Sequence, residues 1–527
     1  MDQLIDAWPK SPMSSVQTKM RGGFRGIILF WMFLLLLRAS ALFFGLDRLP
    51  LLPTVGDEVI INDPAVALSR GYGLVAFSFG HSTIGLDRMY AHFPPLFILL
   101  QALAFRLFGF SALTLRAPSV MFDLAACSVF LAILLELGRH RFAENWSVAL
   151  SGTLLLLEPV TLAHSRQGRM ESLSVLLGGI AFFLAIRAER SAKYEKALWL
   201  TGAVSAGLAL STHPASLIVW AGFVGWSLRR LKHLGAVNWL FYSAIPPLVF
   251  FVVWGVTFRE KALDALLQMH RAGTYSPGPS LRLGELASSV AAGDLRVANS
   301  SGGPALLVTL GCLLIGLWRT CSARRASHGG AEGGWWAALV TLTGIMLAQS
   351  LLLQFVVPTS GFNRVLMAVP FAYLCAACAF SYLGDSGRRF AMAVIFFAVV
   401  AELGVLGLYL GQLRQSWADR SKDRFDHILN VIPENARVAA VPEFWYALLS
   451  RKHNFTVVYH DMDESRYFRE NPDGFDPYDA VILDPAASDY ATMLRNAKKD
   501  HAIQVRYRTY ERNFVLLARS PRADGGR

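Results

Sequence analysis

Runs of about twenty consecutive apolar residues constrain this chain more than any other feature. A run of that length crosses a bilayer as a helix. Lipid imposes the helix, because every backbone N–H and C=O must find its partner within the segment. Such runs fall near 24–44, 113–137, 146–163, 171–187, 197–212, 214–228, 238–258, 303–319, 335–356, 364–383 and 389–412. They predict a polytopic α-helical membrane protein of about eleven membrane helices. The fifth and sixth are short, and a re-entrant pair in their place leaves the parity unchanged. Of the 527 residues 54% are apolar and 17% charged, whereas a soluble chain carries about 25% charge. The mean hydropathy is +0.40. An ordinary soluble enzyme, a disordered chain and a disulfide-rich scaffold are excluded. The first run, with Arg21 and Arg25 ahead of IILFWMFLLLL, imitates a signal peptide, and Ala39-Ser40-Ala41 imitates its cleavage site. Because further spans follow, an uncleaved anchor is expected.

The net charge of +12 is no nucleic-acid footprint, because the basic residues sit in short clusters between the apolar runs. With a cytoplasmic N-terminus, fourteen Lys and Arg fall in inner loops: Arg139, Arg141, Arg187, Arg190, Lys193, Lys196, Arg229, Arg230, Lys232, Arg319, Arg324, Arg325, Arg388 and Arg389. Only Arg166, Arg169 and Arg364 fall in short outer loops. The positive-inside rule then sets the orientation. The expected location is a cell inner (plasma) membrane, with a transmembrane domain over 1–412 and an extracytoplasmic C-terminal domain over 413–527. Four of the five cysteines lie in apolar runs and Cys321 in a basic loop. No disulfide framework is implied, and the CxxC of Cys375 and Cys378 reads as buried small side chains.

Two outer segments are long, 45–112 and 259–302. In the first, Asp63 reads as an N-cap with Pro64 opening a helix to Arg70, and Pro94–Phe108 reads as an interfacial helix. In the second, Glu260–His270 is amphipathic and the remainder reads as a loop or a lid. The tail alternates helix and strand: helix Ser416–Val431, strand Arg437–Val441, helix Phe444–Ser450, strand Thr456–Tyr459, strand Ala480–Leu483, helix Ser488–Lys498, strands Ala502–Thr509 and Phe514–Ala518. That order predicts a small α/β domain. It holds no GxGxxG or GxxxxGK[ST], and the run Asp461, Asp463, Glu464 reads as a solvated loop.

Chemistry concentrates at the outer boundary. Asp57 and Glu58 follow the first span, where carboxylates are costly unless solvated or used. The stretch LEPVTLAHSRQGRMESL gathers Glu158, His164, Arg166, Arg169 and Glu171 into one short turn. Arg166 and Arg169 share a face if helical, and paired guanidiniums suit a phosphate. They could equally pair with Glu158 and Glu171. Arg38, His213 in STHP and Arg364 in GFNRVLMAVP are weaker substrate-binding candidates, since each also suits a snorkelling or capping role. Together these residues suit a lipid-linked phosphate held by arginines while a carboxylate deprotonates an acceptor hydroxyl. Inversion in a single displacement would follow.

The order of motifs resembles the GT-C glycosyltransferases of the protein O-mannosyltransferase and lipid A aminoarabinose transferase type. The matching pieces are GDE at 56–58, PPL at 94–96 with LLQALAFRLFGFSALTLRAPSV, RQGRME before the fourth span, AGLALSTHP at 206–214, FNRVLMAVPFAYL at 362–374 and the α/β tail. The resemblance implies a polyprenyl-phosphate-linked sugar donor and a lipid, glycan or protein hydroxyl as acceptor. It implies Asp57 as catalytic base, Glu58 as its supporting carboxylate and Glu171 as a second acidic position, with Arg166, Arg169 and Arg364 near the donor phosphate. Two departures stand out. Many relatives have Lys before the double proline, where this chain has Phe93 preceded by His92. Many also have Lys in the motif that here reads STHP, at His213. A switchable imidazole in place of a fixed cation could alter donor or acceptor choice.

The competing readings are a transporter or flippase for lipid-linked glycans, and a non-catalytic glycolipid-binding assembly subunit. No repeat of the kind transporters show is evident. Asp57 and Glu58 could hold Mg²⁺ or Mn²⁺, which a pyrophosphate donor would make useful. With a monophosphate donor the arginines can neutralise the leaving group, so no cofactor requirement is expected.

Overall fold

The computed structural model describes residues 15–48, 55–80, 85–139, 145–189, 191, 193–229, 231–274, scattered positions from 370 to 425, and 429–519 apart from short breaks. Its first part is helical: α1 (Ser15–Phe43), α2 (Val55–Ser69), α3 (Leu96–Phe108), α4 (Ala112–Arg139), α5 (Asn145–Leu157), α6 (Pro159–Ser165), α7 (Glu171–Ala188), α8 (Glu195–Leu210), α9 (Leu217–Arg229), α10 (Leu231–Leu234), α11 (Ala236–Phe258) and α12 (Ala262–Thr274). Four stretches are long and apolar enough to cross a membrane: Arg25–Phe43, Ala112–Gly138, Glu171–Ala188 and Ala236–Met269. The chain is a helical membrane protein. The first seven expected spans coincide with α1, α4, α5 with α6, α7, α8, α9 and α11. The last four fall outside the described residues, apart from isolated helical positions.

The third expected span is not one helix. It unwinds at Glu158 and restarts at Pro159, a residue suited to a first helical turn because it has no N–H to leave unpaired. Elsewhere small residues let the helices close on each other, since lipid offers no hydrophobic drive to push them together. A Cβ on Gly179 would sit 2.8 Å from the Phe130 ring, and one on Gly207 would sit 2.8 Å from the Pro246 carbonyl oxygen. The core between these helices is built on Phe130, Trp199, Phe223 and Trp226.

The segment between α1 and α4 differs from its expected form at one point. Asp63 does not cap a helix. Helix α2 begins eight residues earlier, at Val55, and runs through Pro64. Asp63 is wholly buried, with Oδ2 accepting the Ser78 N–H at 3.0 Å and Oδ1 accepting the Trp445 indole N–H at 2.8 Å. Tertiary partners replaced the local cap. Helix α3 lies where the interfacial helix was expected.

In the tail, β1 (Arg437–Ala440), β2 (Asn454–Val457), β3 (Ala480–Leu483), β4 (His501–Arg508) and β5 (Asn513–Arg519) form one sheet in the order β2-β1-β3-β5-β4. The first three are parallel, and β5 runs antiparallel to both β3 and β4. All four residues of β3 are buried, as a central strand covered on both faces requires. Helices α13 (Trp445–Ser450), α14 (Asp463–Glu470) and α15 (Tyr490–Ala497) flank the sheet. The polar run read as a loop is α14, which buries Phe468 in the tail core.

The tail is not a separate bead. Val59, Phe79, Phe97 and Phe105 share one core with Phe444, Trp445, Leu448 and Phe455, and Val457 N–H donates to the Ser78 carbonyl at 2.9 Å. The α1–α4 segment and the tail therefore lie on the same side of the membrane. The turns after α6, α8 and α11 reach that end of the helices too. Leu96 N–H donates to Ser211 O at 3.0 Å, and Gln268 on α12 exchanges hydrogen bonds of 2.8 Å with the backbone at Met89 and Ala91. Among the described part of the expected lid, α12 is thus fastened down.

Burial pushes the Asp63 carboxyl from its ordinary 3.8 up to about 6, against the hydrogen bonds from Trp445 and Ser78 that lower it. Between those values the folded protein keeps a proton that the unfolded chain has released. Stability should therefore fall as pH rises through that window, by about 3 kcal/mol from this group, and be level above it. Denaturant unfolding of wild type and Asp63→Asn between about pH 4 and 7 tests this. The difference between the two stability curves should carry that slope, and a flat difference would refute it.

Candidate active site

The site grows from the end of the molecule where α2, the 165–170 turn and the 211–216 turn meet. Glu58, in the first turns of α2, is 3% exposed. Its carboxylate accepts two bonds from Arg116 of α4, at 2.8 and 3.1 Å, and a third from the Gly168 N–H at 3.0 Å. Asn62, one turn on, donates to the carbonyls of Glu58 and Gly168, both at 2.7 Å. Arg116 also donates to the carbonyls of Leu46 and Arg48. Gly168 is required there, since a Cβ would fall 2.7 Å from the Leu115 carbonyl oxygen. Asp57 lies on α2, but its side chain is outside the described residues, as is Arg364.

The two arginines expected to share a helical face do not. Residues 166–170 form a turn, and the side chains part. Arg166 donates to the carbonyls of Ala41 and Phe44, both at 2.6 Å, capping the negative end of α1. Arg169 grips Glu171, the first residue of α7, with contacts from 2.5 to 3.2 Å. Of the two pairings the sequence left open, carboxylate pairing is the one Arg169 makes. Glu171 also stands at a helix N-terminus, which favours its negative charge.

Arg38 is the clearest correction among the substrate-binding candidates. Its Nε and Nη2 bind the Asp123 carboxylate at 2.8 and 3.1 Å. Its other N–H groups go to Leu156 O, Glu158 O and Thr161 Oγ1. All five donors of the guanidinium are used, and the break between α5 and α6 is where two of them land. Arg38 holds that break together and has no donor left for a substrate. His92 and His213 do come together. Phe93 sits between them, 4.4 Å from the His92 ring edge-on and 6.3 Å from the His213 ring stacked. His213 is buried and within electrostatic reach of Glu171.

A small cavity opens between α4, α5, α6 and α7. Ala126, Phe130, Leu155 and Val175 make its apolar wall, and Asp123, Thr161, His164, Ser165, Glu171 and Ser172 its polar one. The Ser165 hydroxyl donates to Asp123 at 2.8 Å. The Tyr373 hydroxyl donates to the buried Glu158 carboxylate at 2.5 Å, carrying a distant segment to the same region. Sequence reasoning missed Arg116, Asp123 and Tyr373. The first two were detectable, because ionisable residues inside an apolar run need partners or a function. Tyr373 carried no such mark. Among the described residues no three His, Cys, Asp or Glu side chains converge as a metal site.

No protein-family model matches the sequence, and no curated protein matches it. Solved structures do. ArnT from Cupriavidus metallidurans bound to undecaprenyl phosphate aligns at a TM-score of 0.57 and 13% identity, over 95% of this chain and 99% of that one. The oligosaccharyltransferase of Archaeoglobus fulgidus in its apo form aligns at 0.53 and 13% identity, over 94% and 75%. The same enzyme with zinc and sulfate gives 0.51 and 13%, over 92% and 73%. The chain has the GT-C fold. The helical membrane fold of GT-C type that the motif order implied is thus found, while the last four of the eleven expected spans lie outside the described residues.

The Glu58–Arg116 pair generates a direct expectation. Glu58→Gln leaves a buried guanidinium without its counter-charge and should cost about 3–5 kcal/mol. Thermal unfolding in detergent measures this. A variant that melts with wild type would show that the pair does not hold the 165–170 turn.

Proposed function

We propose that this GT-C chain is an inverting glycosyltransferase that moves a sugar from a polyprenyl-phosphate donor to a lipid, glycan or protein hydroxyl. One observation carries the reading. A small cavity with an apolar and a polar wall is lined by Glu171, whose partner Arg169 sits on the turn clamped to Glu58 of α2. A lipid-linked phosphate calls for apolar contacts and a cation, and Arg169, bound to Glu171 of this lining, is the cation of the reading. The undecaprenyl phosphate in the ArnT structure supports a donor of the same class here. Asp57, next to Glu58 on α2, is the base that takes the acceptor proton as its oxygen attacks the anomeric carbon. Glu58 fixes the helix that carries it. Arg169, with Arg364, neutralises the departing phosphate, and Glu171 sets the orientation of Arg169. His92 and His213, where many relatives have lysines, are the residues proposed to bear on donor or acceptor choice.

The fourteen-to-three bias of basic residues supports a cytoplasmic N-terminus. The reading accordingly has the site and the 413–527 domain on the extracytoplasmic face of an inner (plasma) membrane. Neither the flippase nor the assembly-subunit reading has an observation of its own in its favour.

The test is a donor screen on purified protein in nanodiscs, with labelled polyprenyl-phosphate sugars and an envelope extract from the source cells. Wild type should move label to a new species. Asp57→Ala should lower the rate by about 100-fold or more while donor binding persists. Absence of transfer with any donor would sink the enzyme reading. Transfer should also survive EDTA, because arginines rather than a metal meet the leaving phosphate. Loss with rescue by Mg²⁺ would overturn that point.

A further inference from the structure

We infer that Trp445 and Tyr446, the first two residues of the tail helix α13, are positioning residues for the carboxylate-bearing helix α2 and for its partner helix α4, respectively. What they position is catalytic only if the glycosyltransferase reading holds. That they position α2 and α4 is independent of it.

The two side chains reach in different directions. Trp445, 2% exposed, donates its indole N–H to Asp63 at 2.8 Å. Asp63 stands on the same helix as Asp57 and Glu58, fewer than two turns further on. Between them the ladder is weak, because Pro64 removes a backbone donor from the helix interior. A brace from outside stands where the helix lacks one of its own bonds. Tyr446 takes the other route. Its hydroxyl oxygen accepts the N–H of Ala112 at 2.9 Å, and Ala112 is the first residue of α4, where N–H groups have no partner within the helix. One turn on, α4 presents Arg116, the partner of Glu58. Phe110 fixes both rings, with centroids at 5.6 Å from Trp445 and 5.2 Å from Tyr446. The tail thus supports both halves of the Glu58–Arg116 pair, one through Asp63 and one through Ala112.

The experiment uses the full chain in nanodiscs, with Trp445→Phe and Tyr446→Phe. Each keeps an aromatic ring and removes one polar atom. Hydrogen exchange is followed in 55–69, in 112–116 and in the strands β1 to β5. The rate of transfer from the labelled undecaprenyl-phosphate sugar that wild type accepts is measured alongside. Trp445→Phe should speed exchange in 55–69 by about tenfold or more, since it removes a bond to a buried carboxylate. Tyr446→Phe should do so in 112–116. The strands should be unchanged, and kcat should fall with KM held. Exchange in 55–69 equal to wild type in Trp445→Phe overturns the inference. So does acceleration shared equally by all five strands in both variants, which would mean the tail itself has loosened. Wild type that transfers no sugar, with exchange in 55–69 still raised by Trp445→Phe, removes the enzyme reading and leaves the positioning role standing.

Discussion

The bidentate pair between Glu58 and Arg116 is the contact on which the rest of this end of the molecule depends. One carboxylate binds α2 to α4 and also takes the Gly168 N–H, so it fixes the 165–170 turn. One guanidinium adds the carbonyls of Leu46 and Arg48 beyond the end of α1. Four pieces of chain distant in sequence meet through two side chains. Placing both charges away from water is unfavourable, and the pair offsets this only because its remaining lone pairs and protons also find partners.

The same solution recurs through the bundle. Arg38 pairs with Asp123, Arg169 with Glu171 and Arg187 with Glu136. Apolar helices in lipid have no solvent to drive them into one register, and small residues such as Gly179 and Gly207 permit close approach without selecting a partner. Directional charge pairs supply the selection. They also concentrate functional candidates and structural clamps in one region, so an arginine near the site is not thereby a ligand for phosphate. Arg166 and Arg38 serve α1 and the α5–α6 break.

The elements were largely legible. The spans through α11, helix α3 and each strand of the tail fall close to where apolar runs and alternation place them, because those patterns follow from burial of one face or of all faces. Three readings changed. Asp63 looked like a cap, 463–470 like a loop, and Arg166 with Arg169 like one helical face. Asp63 and Arg166 are decided by partners far along the chain, Trp445 and the end of α1, and 463–470 by the tail core it packs into, while Arg169 takes the nearby Glu171 pairing that the sequence had left open. The adjacency of His92, Phe93 and His213 was equally invisible, since nothing local links PPL to STHP.

By itself the sequence determined that the chain must cross a membrane as helices and that its tail is α/β. Those are consequences of the cost of unpaired backbone in lipid and of hydrophobic period. The tertiary structure alone decided which charges neutralise each other and which stay near the cavity. It also decided that the tail shares a core with the loop carrying Asp57 and Glu58. Pairs such as Glu58 with Arg116 and Arg38 with Asp123 join residues 58 and 85 positions apart, and no local pattern records that proximity.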